Sequence, residues 1–209
     1  MVYDPSRHHR RSIRLKGWDY RRPGFYFVTV CTQNREHLFG EIINGKMVLN
    51  EFGNVVSNQW KKIPNHFPTV RLDAFVVMPD HIHGILHIVE RVDGPVGAKH
   101  SGEEILNNQS ICHRNASPLQ CNRPIRPRGT KPGSLSSVMQ NYLSVTTRKI
   151  NQIRGTPGSR VWQRNYYDQI IWNDDLLKRI RKYIRNNPMK WTLKHGHSIK
   201  KDFSHRNSH

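Results

Sequence analysis

The chain predicts an α+β domain of the ferredoxin-like (RRM-like) kind, an antiparallel sheet with helices on one face and a final helix at the C-terminal end. Two observations carry this expectation. Strand-like and helix-periodic segments follow one another in the order strands, helix, strands, helix, strand, helix, and no internal repeat interrupts them. The length, 209 residues, suits one domain with room for a real core.

The elements can be justified in order. Residues 1–24 form a basic arm in which Arg7, Arg10, Arg11, Arg14, Lys16, Arg21 and Arg22 surround Trp18 and Tyr20, and Pro23-Gly24 ends it as a turn. Phe25–Thr32 is rich in aromatic and β-branched residues and predicts a strand. Asn44-Gly45 between two short apolar runs predicts a two-residue hairpin turn. Asn50 suits the cap of a helix over 51–62, closed by Pro64. A strand over Asp73–Met78 follows, and Pro79-Asp80 leads into another that runs to about Val89. Residues 91–133 carry five prolines and little periodicity, and are expected to be an irregular insertion within the domain. Ser134 caps a helix to about Asn151 with Leu135, Val138, Met139, Tyr142, Val145 and Ile150 on one stripe. Val161–Gln163 and Tyr167–Ile171 predict strand segments. Asn173 then caps a helix from Asp174 to Asn187, which Pro188 is expected to end. The expected organisation is therefore an arm (1–24), a domain (25–192) and a basic tail (193–209).

Composition narrows the partners. Lys and Arg number 34 against 15 Asp and Glu, a formal charge of +19. An excess that large favours a polyanion, because neutralising phosphates releases their counterions. Cations interleaved with aromatics, as in the arm, suit nucleic acid in particular. A solvated basic surface is the plainer alternative. No long apolar run or broad-faced basic helix points to a membrane, and no secretory signal is evident, so a cytoplasmic, nucleoid-associated location is expected. Cys31, Cys112 and Cys121 lack the spacing of a structural zinc site and read as free thiols.

The most informative pattern is His81-Ile82-His83. Side chains of a strand alternate between faces, so the two imidazoles share one face while Ile82, Leu86 and Ile88 fill the other. Two such imidazoles can begin the ligand set of a divalent metal. On the last helix, Leu176, Ile180, Tyr183 and Asn187 fall on one stripe, and Lys178, Arg179, Arg181, Lys182 and Arg185 occupy much of the rest. Tyr183 and Asn187 can aim at one spot a turn apart. A phenol beside a metal-bound phosphate suits a nucleophile, and the Asn187 amide oxygen suits a third ligand for Mg²⁺ or Mn²⁺; imidazole alone would also suit Zn²⁺. Spacing alone does not join the two halves. Taken singly, two histidines on a strand, a tyrosine on an apolar stripe and an asparagine before proline all have ordinary structural roles.

Three stretches together resemble one family: Phe75–Leu86 with its His81-Ile82-His83, the opening Pro23–Thr29, and Arg179–Pro188 with Tyr183-Ile184-Arg185-Asn186-Asn187-Pro188. Trp162-Gln163-Arg164-Asn165-Tyr166-Tyr167-Asp168 adds a fourth. The family is the REP-associated branch of the single-tyrosine HUH transposases, and the resemblance spans about residues 10–90 and 134–192. It implies a metal-dependent nuclease and strand transferase acting on single-stranded DNA near REP-like hairpins, through a 5′-phosphotyrosine. By position it implies His81 and His83 as metal ligands, Tyr183 as nucleophile and Asn187 as a third polar ligand. Tyr166 and Tyr167 compete for the nucleophile's role. Gln169 and Trp172 depart from the family pattern, which tends to have His and a basic residue there. Hairpin contacts are expected from Arg10, Arg11, Arg14, Trp18, Arg21 and Arg22 of the arm and from Lys178, Lys182 and Arg185 of the last helix. A non-catalytic or domesticated hairpin-binding protein is the alternative, and both homodimer and monomer stay open.

Overall fold

The computed structural model describes Leu15 and residues 17–90 and 130–199, with side chains described as far as Lys194. Arg10, Arg11, Arg14, the greater part of the insertion and the end of the tail lie outside the described residues. Among the described residues six strands and four α-helices follow in order, with a 3-10 turn at Gln33–Arg35 after the first strand: β1 (Gly24–Cys31), β2 (Gly40–Ile43), β3 (Lys46–Leu49), α1 (Glu51–Lys61), α2 (Ile63–His66), β4 (Val70–Met78), β5 (His81–Ile88), α3 (Leu135–Ile153), β6 (Tyr167–Ile171) and α4 (Asp174–Ile199). The main sheet has the order β4-β5-β1-β6 with every pair antiparallel. Leaving out the β2–β3 hairpin, this is the split βαβ order of the expected ferredoxin-like fold.

Alternation along the strands sorts the two faces. Tyr26, Val28 and Val30 of β1 and Ile82, Leu86 and Ile88 of β5 join Val56 and Trp60 of α1 and Val138, Met139 and Tyr142 of α3 in the larger core. Phe27, Ile85 and Ile171 face the other way and meet Leu177, Ile180 and Ile184 of α4. Thus α1 and α3 share one face, and α4 covers part of the face that carries the histidines.

Local chemistry explains the boundaries. Asn50 Oδ1 accepts the Gly53 N–H at 2.9 Å, and Asn173 Oδ1 accepts the Leu176 N–H at 2.8 Å, both at helix starts. The Asn44-Gly45 turn has φ of 51° and 74°, the left-handed pair that a tight hairpin demands. The helix expected over 51–62 ends at Lys61, and Pro64 sits in the first turn of the separate α2, where its missing N–H costs nothing. Two expectations need correction. Val161–Gln163 forms no strand, only a bridge from Trp162 to Thr32. Pro188 does not stop α4, which continues to Ile199. The break in backbone bonding that proline imposes is tolerated because the helix is held on both sides of it. Ile184 is buried under the sheet, and Trp191 lies against the rings of His81 and His37.

Candidate active site

The site begins where β5 follows the Pro79-Asp80 turn. His81 and His83 are both buried, and their Nε2 atoms face each other at 3.1 Å. Each ring is oriented through its other nitrogen. His81 Nδ1–H donates to the Asp80 carboxylate, which can only accept, and this leaves the Nε2 lone pair pointing into the site. His83 Nδ1 lies 2.7 Å from the Thr29 hydroxyl, its direct partner across the β1–β5 ladder. Asp80 also meets Arg35, Nη1 to Oδ2 at 3.2 Å. Burial pushes the Asp80 carboxyl up, but the hydrogen bond from His81 and the nearby Arg35 charge outweigh it and hold the group below its usual range. Burial first, then the neighbouring His81 ring and the Arg35 charge, press His83 down to about 3. His83 is therefore a neutral imidazole at physiological pH, the form that ligates metal.

Tyr183 arrives from the far end of the chain. Its hydroxyl lies 3.2 Å from His83 Nε2, and its ring packs edge-on to Phe27. Two devices hold α4 there. One is the apolar seam of Leu177, Ile180 and Ile184. The other is a β-bulge in β4, where the register breaks between Leu72 and Phe75 opposite the single residue Ile85. Two residues, Asp73 and Ala74, thereby turn to the α4 side. Asp73 receives Arg181 through both its Nε and Nη2, two residues from Tyr183.

A cavity of about 640 Å³ joins these groups, lined by His81, His83, Tyr183, Asn187 and Tyr167, with Arg35, Lys190 and Lys194 as its cations. Asn187 is 8% exposed and lines the same cavity as the two histidines. An amide oxygen in one cavity with two converging imidazole nitrogens makes a donor set that fits a divalent cation. No group of three His, Cys, Asp or Glu suited to a metal occurs among the described residues. The donor set His81, His83 and Asn187 is thus neutral. A larger groove, about 1020 Å³, runs beside the second half of α3 and contains none of these groups.

The other sequence-derived candidates are placed as follows. Tyr166 packs against the larger core. Tyr167 lines the cavity, but its hydroxyl points to Gln169 at 3.5 Å. Lys178, Lys182 and Arg185 are exposed on α4 yet do not line the cavity. Trp18, Arg21 and Arg22 sit at the Gly24 end of the sheet, away from the histidines. There Arg21 is held by Asp19, Arg22 lies over the Trp18 ring at 5.1 Å, and Trp18 meets the exposed Trp172 edge-on. Thr29, Arg35, Asp80, Lys190 and Trp191 were not expected in the site. Only Asp80 had a local signal, a carboxylate next to the first histidine after a turn.

No family model matches the sequence. A Haemophilus influenzae protein named "Uncharacterized protein" is 39% identical over 198 residues, covering 90% of this chain and 93% of that protein. The two belong to one family. A second Haemophilus influenzae protein, named "Putative REP-associated tyrosine transposase", is 24% identical over 193 residues, covering 91% of this chain and 83% of that one. The chain thus resembles REP-associated tyrosine transposases along nearly its whole length, and not at its motifs alone. Among solved structures, a REP-associated tyrosine transposase bound to a REP hairpin superposes with a TM-score of 0.49 at 16% identity, covering 86% of this chain and 73% of the other. A "putative transposase" from Deinococcus radiodurans gives 0.40 at 14%, covering 84% and 97%. No described helix is long and apolar enough to cross a membrane.

Proposed function

We propose that this chain is a metal-dependent transposase or nuclease that cuts and rejoins single-stranded DNA beside REP-like hairpins through a 5′-phosphotyrosine. One observation carries the reading: the Tyr183 hydroxyl, His83 Nε2 and His81 Nε2 converge within successive distances of 3.2 and 3.1 Å although Tyr183 is a hundred residues away in sequence. A module that only binds nucleic acid needs no phenol beside paired imidazoles. The hairpin substrate class comes from the motif resemblance and from the similarity to the second Haemophilus protein.

His81, His83 and Asn187 would hold a divalent ion, Mg²⁺ or Mn²⁺, which when bound supplies Lewis-acid polarisation of a phosphoryl oxygen. The protein's own groups do the rest. Asp80 and Thr29 fix the two rings. Phe27 and His83 define the angle of the Tyr183 ring, and Lys190, 5.7 Å from its centre, adds positive charge where an incoming phosphodiester must sit. The Tyr183 oxygen forms a bond to phosphorus as the phosphorus–O3′ bond breaks. The phenolic proton passes to solvent, and the departing 3′ oxygen takes one up. One phosphodiester replaces another, so a 3′-hydroxyl can reverse the step at a second phosphotyrosine without external energy.

The test uses an oligonucleotide copied from palindromic DNA flanking the gene, with protein and Mn²⁺, on a denaturing gel. A retarded protein–DNA band is expected, abolished by Tyr183→Phe with hairpin affinity nearly intact, and abolished by His81→Ala or by a chelator. A band that survives Tyr183→Phe but is lost in Tyr167→Phe moves the nucleophile to β6. One that survives chelation removes the metal.

A further inference from the structure

Building on that reading, we propose that Arg35 is the phosphate-binding residue of the cavity, gripping a non-bridging oxygen of the strand presented to Tyr183. Three observations meet at this residue. Its side chain lines the same cavity as His81, His83 and Tyr183. One guanidinium nitrogen is engaged by Asp80, while the side chain stays 57% exposed, so donors of the planar fork remain for a ligand. The third observation is its backbone.

Asn34 and Arg35 have φ of 54° and 59°, two consecutive non-glycine residues in the left-handed region. Asn tolerates that region, whereas Arg is disfavoured there by the contact of its Cβ with the chain. Such a conformation persists only when its surroundings over-determine it. Here they do. Thr32 N–H donates to the Asp80 carbonyl just before β5, the Thr32 hydroxyl lies within reach of the Glu36 and Asp80 carbonyls at 2.8 and 3.0 Å, Arg35 N–H donates to Thr32 O, and Gln33 N–H donates to Val161 O. The turn is stitched from both sides, and the result is to aim Arg35 at the histidine pair. Thr32, which anchors the turn, is buried, whereas none of Gln33, Asn34 and Arg35 is. A strained arginine, held at one end and open at the other, beside a phenol and two imidazoles, suits an anionic diester.

The test is a charge cycle read by binding, so it does not depend on cleavage. Affinity is measured in the Tyr183→Phe protein for the hairpin oligonucleotide with a single neutral methylphosphonate moved along its single-stranded backbone. At one linkage the neutral group is expected to weaken binding about tenfold, and this penalty is expected to vanish when Arg35→Ala is added. Arg35→Gly should show the same loss of binding while its melting temperature stays level or rises, because glycine relieves the left-handed strain. Mn²⁺ affinity should stay within about twofold of the parent. A methylphosphonate penalty that persists in Arg35→Ala overturns the proposal. If Mn²⁺ affinity collapses at the same time, Arg35 is a positioning residue for Asp80 and His81 instead. A wild-type protein that forms no covalent adduct defeats the strand-transfer reading and leaves the outcome of this cycle separately legible.

Discussion

Replacing Gly84 by alanine puts the link between packing and chemistry to a stringent test. Gly84 follows His83 on β5 and pairs with Val28 of β1 and Phe75 of β4. A Cβ built on it would lie 2.3 Å from Cζ2 and 2.5 Å from Cη2 of Trp60. Ordinary contact needs about 3.4 Å, so ring or strand must retreat by roughly 1 Å. The ring has little freedom. Trp60 is 1% exposed, stacks on Phe75 at 4.5 Å and meets Tyr142 edge-on at 5.3 Å. Overpacking of this kind costs about 1–3 kcal/mol, which in a domain of this size lowers the melting temperature by about 2–12 °C. If the strand yields instead of the ring, His83 leaves the position from which it meets Tyr183 and His81. Thermal unfolding followed by near-ultraviolet circular dichroism reads the first effect, and Mn²⁺ titration reads the second. Gly84→Ala with an unchanged melting temperature and unchanged Mn²⁺ affinity would refute the argument that Trp60 sets the level of the histidine strand.

Asp80→Asn removes the charge that orients His81 while keeping nearly the same shape; Mn²⁺ affinity by calorimetry should fall about 10–100-fold with the fold intact, and an unchanged value would mean that Asp80 only anchors the turn. The Asp73–Arg181 pair gives an acid-side dependence of stability. The Arg181 hydrogen bond, against an upward push from burial, holds the Asp73 carboxyl below its usual range. A depressed carboxyl contributes stability that is complete above the unfolded pKa of about 4 and is lost as pH falls through the lower folded value. Arg181→Gln should therefore flatten the melting temperature between about pH 4 and pH 2 relative to the parent; parallel curves for the two proteins would show that the pair adds nothing.

Much of the sheet was legible in the chain because its signals are local. The aromatic and β-branched run of β1, the Asn44-Gly45 turn and the caps Asn50, Ser134 and Asn173 act through neighbours a few residues away. What failed did so for non-local reasons. Pro188 carries a strong local stop, but α4 is held beyond it by Trp191 against His37 and His81, contacts that no window of sequence displays. Arg35 gave no signal at all, because its left-handed turn is imposed by bonds to Asp80 and Val161.

By itself the sequence determined that His81 and His83 share a face, that Ile82 and Leu86 take the other, and that Tyr183 and Asn187 ride one stripe of a helix. Side-chain periodicity decides such things within a single element. Only the tertiary structure decided that the two faces meet. The β4 bulge turns Asp73 toward Arg181, the apolar seam seats α4 across the sheet, and a phenol reaches an imidazole a hundred residues away. Alternation states which way a residue points; what it points at depends on where the other elements pack.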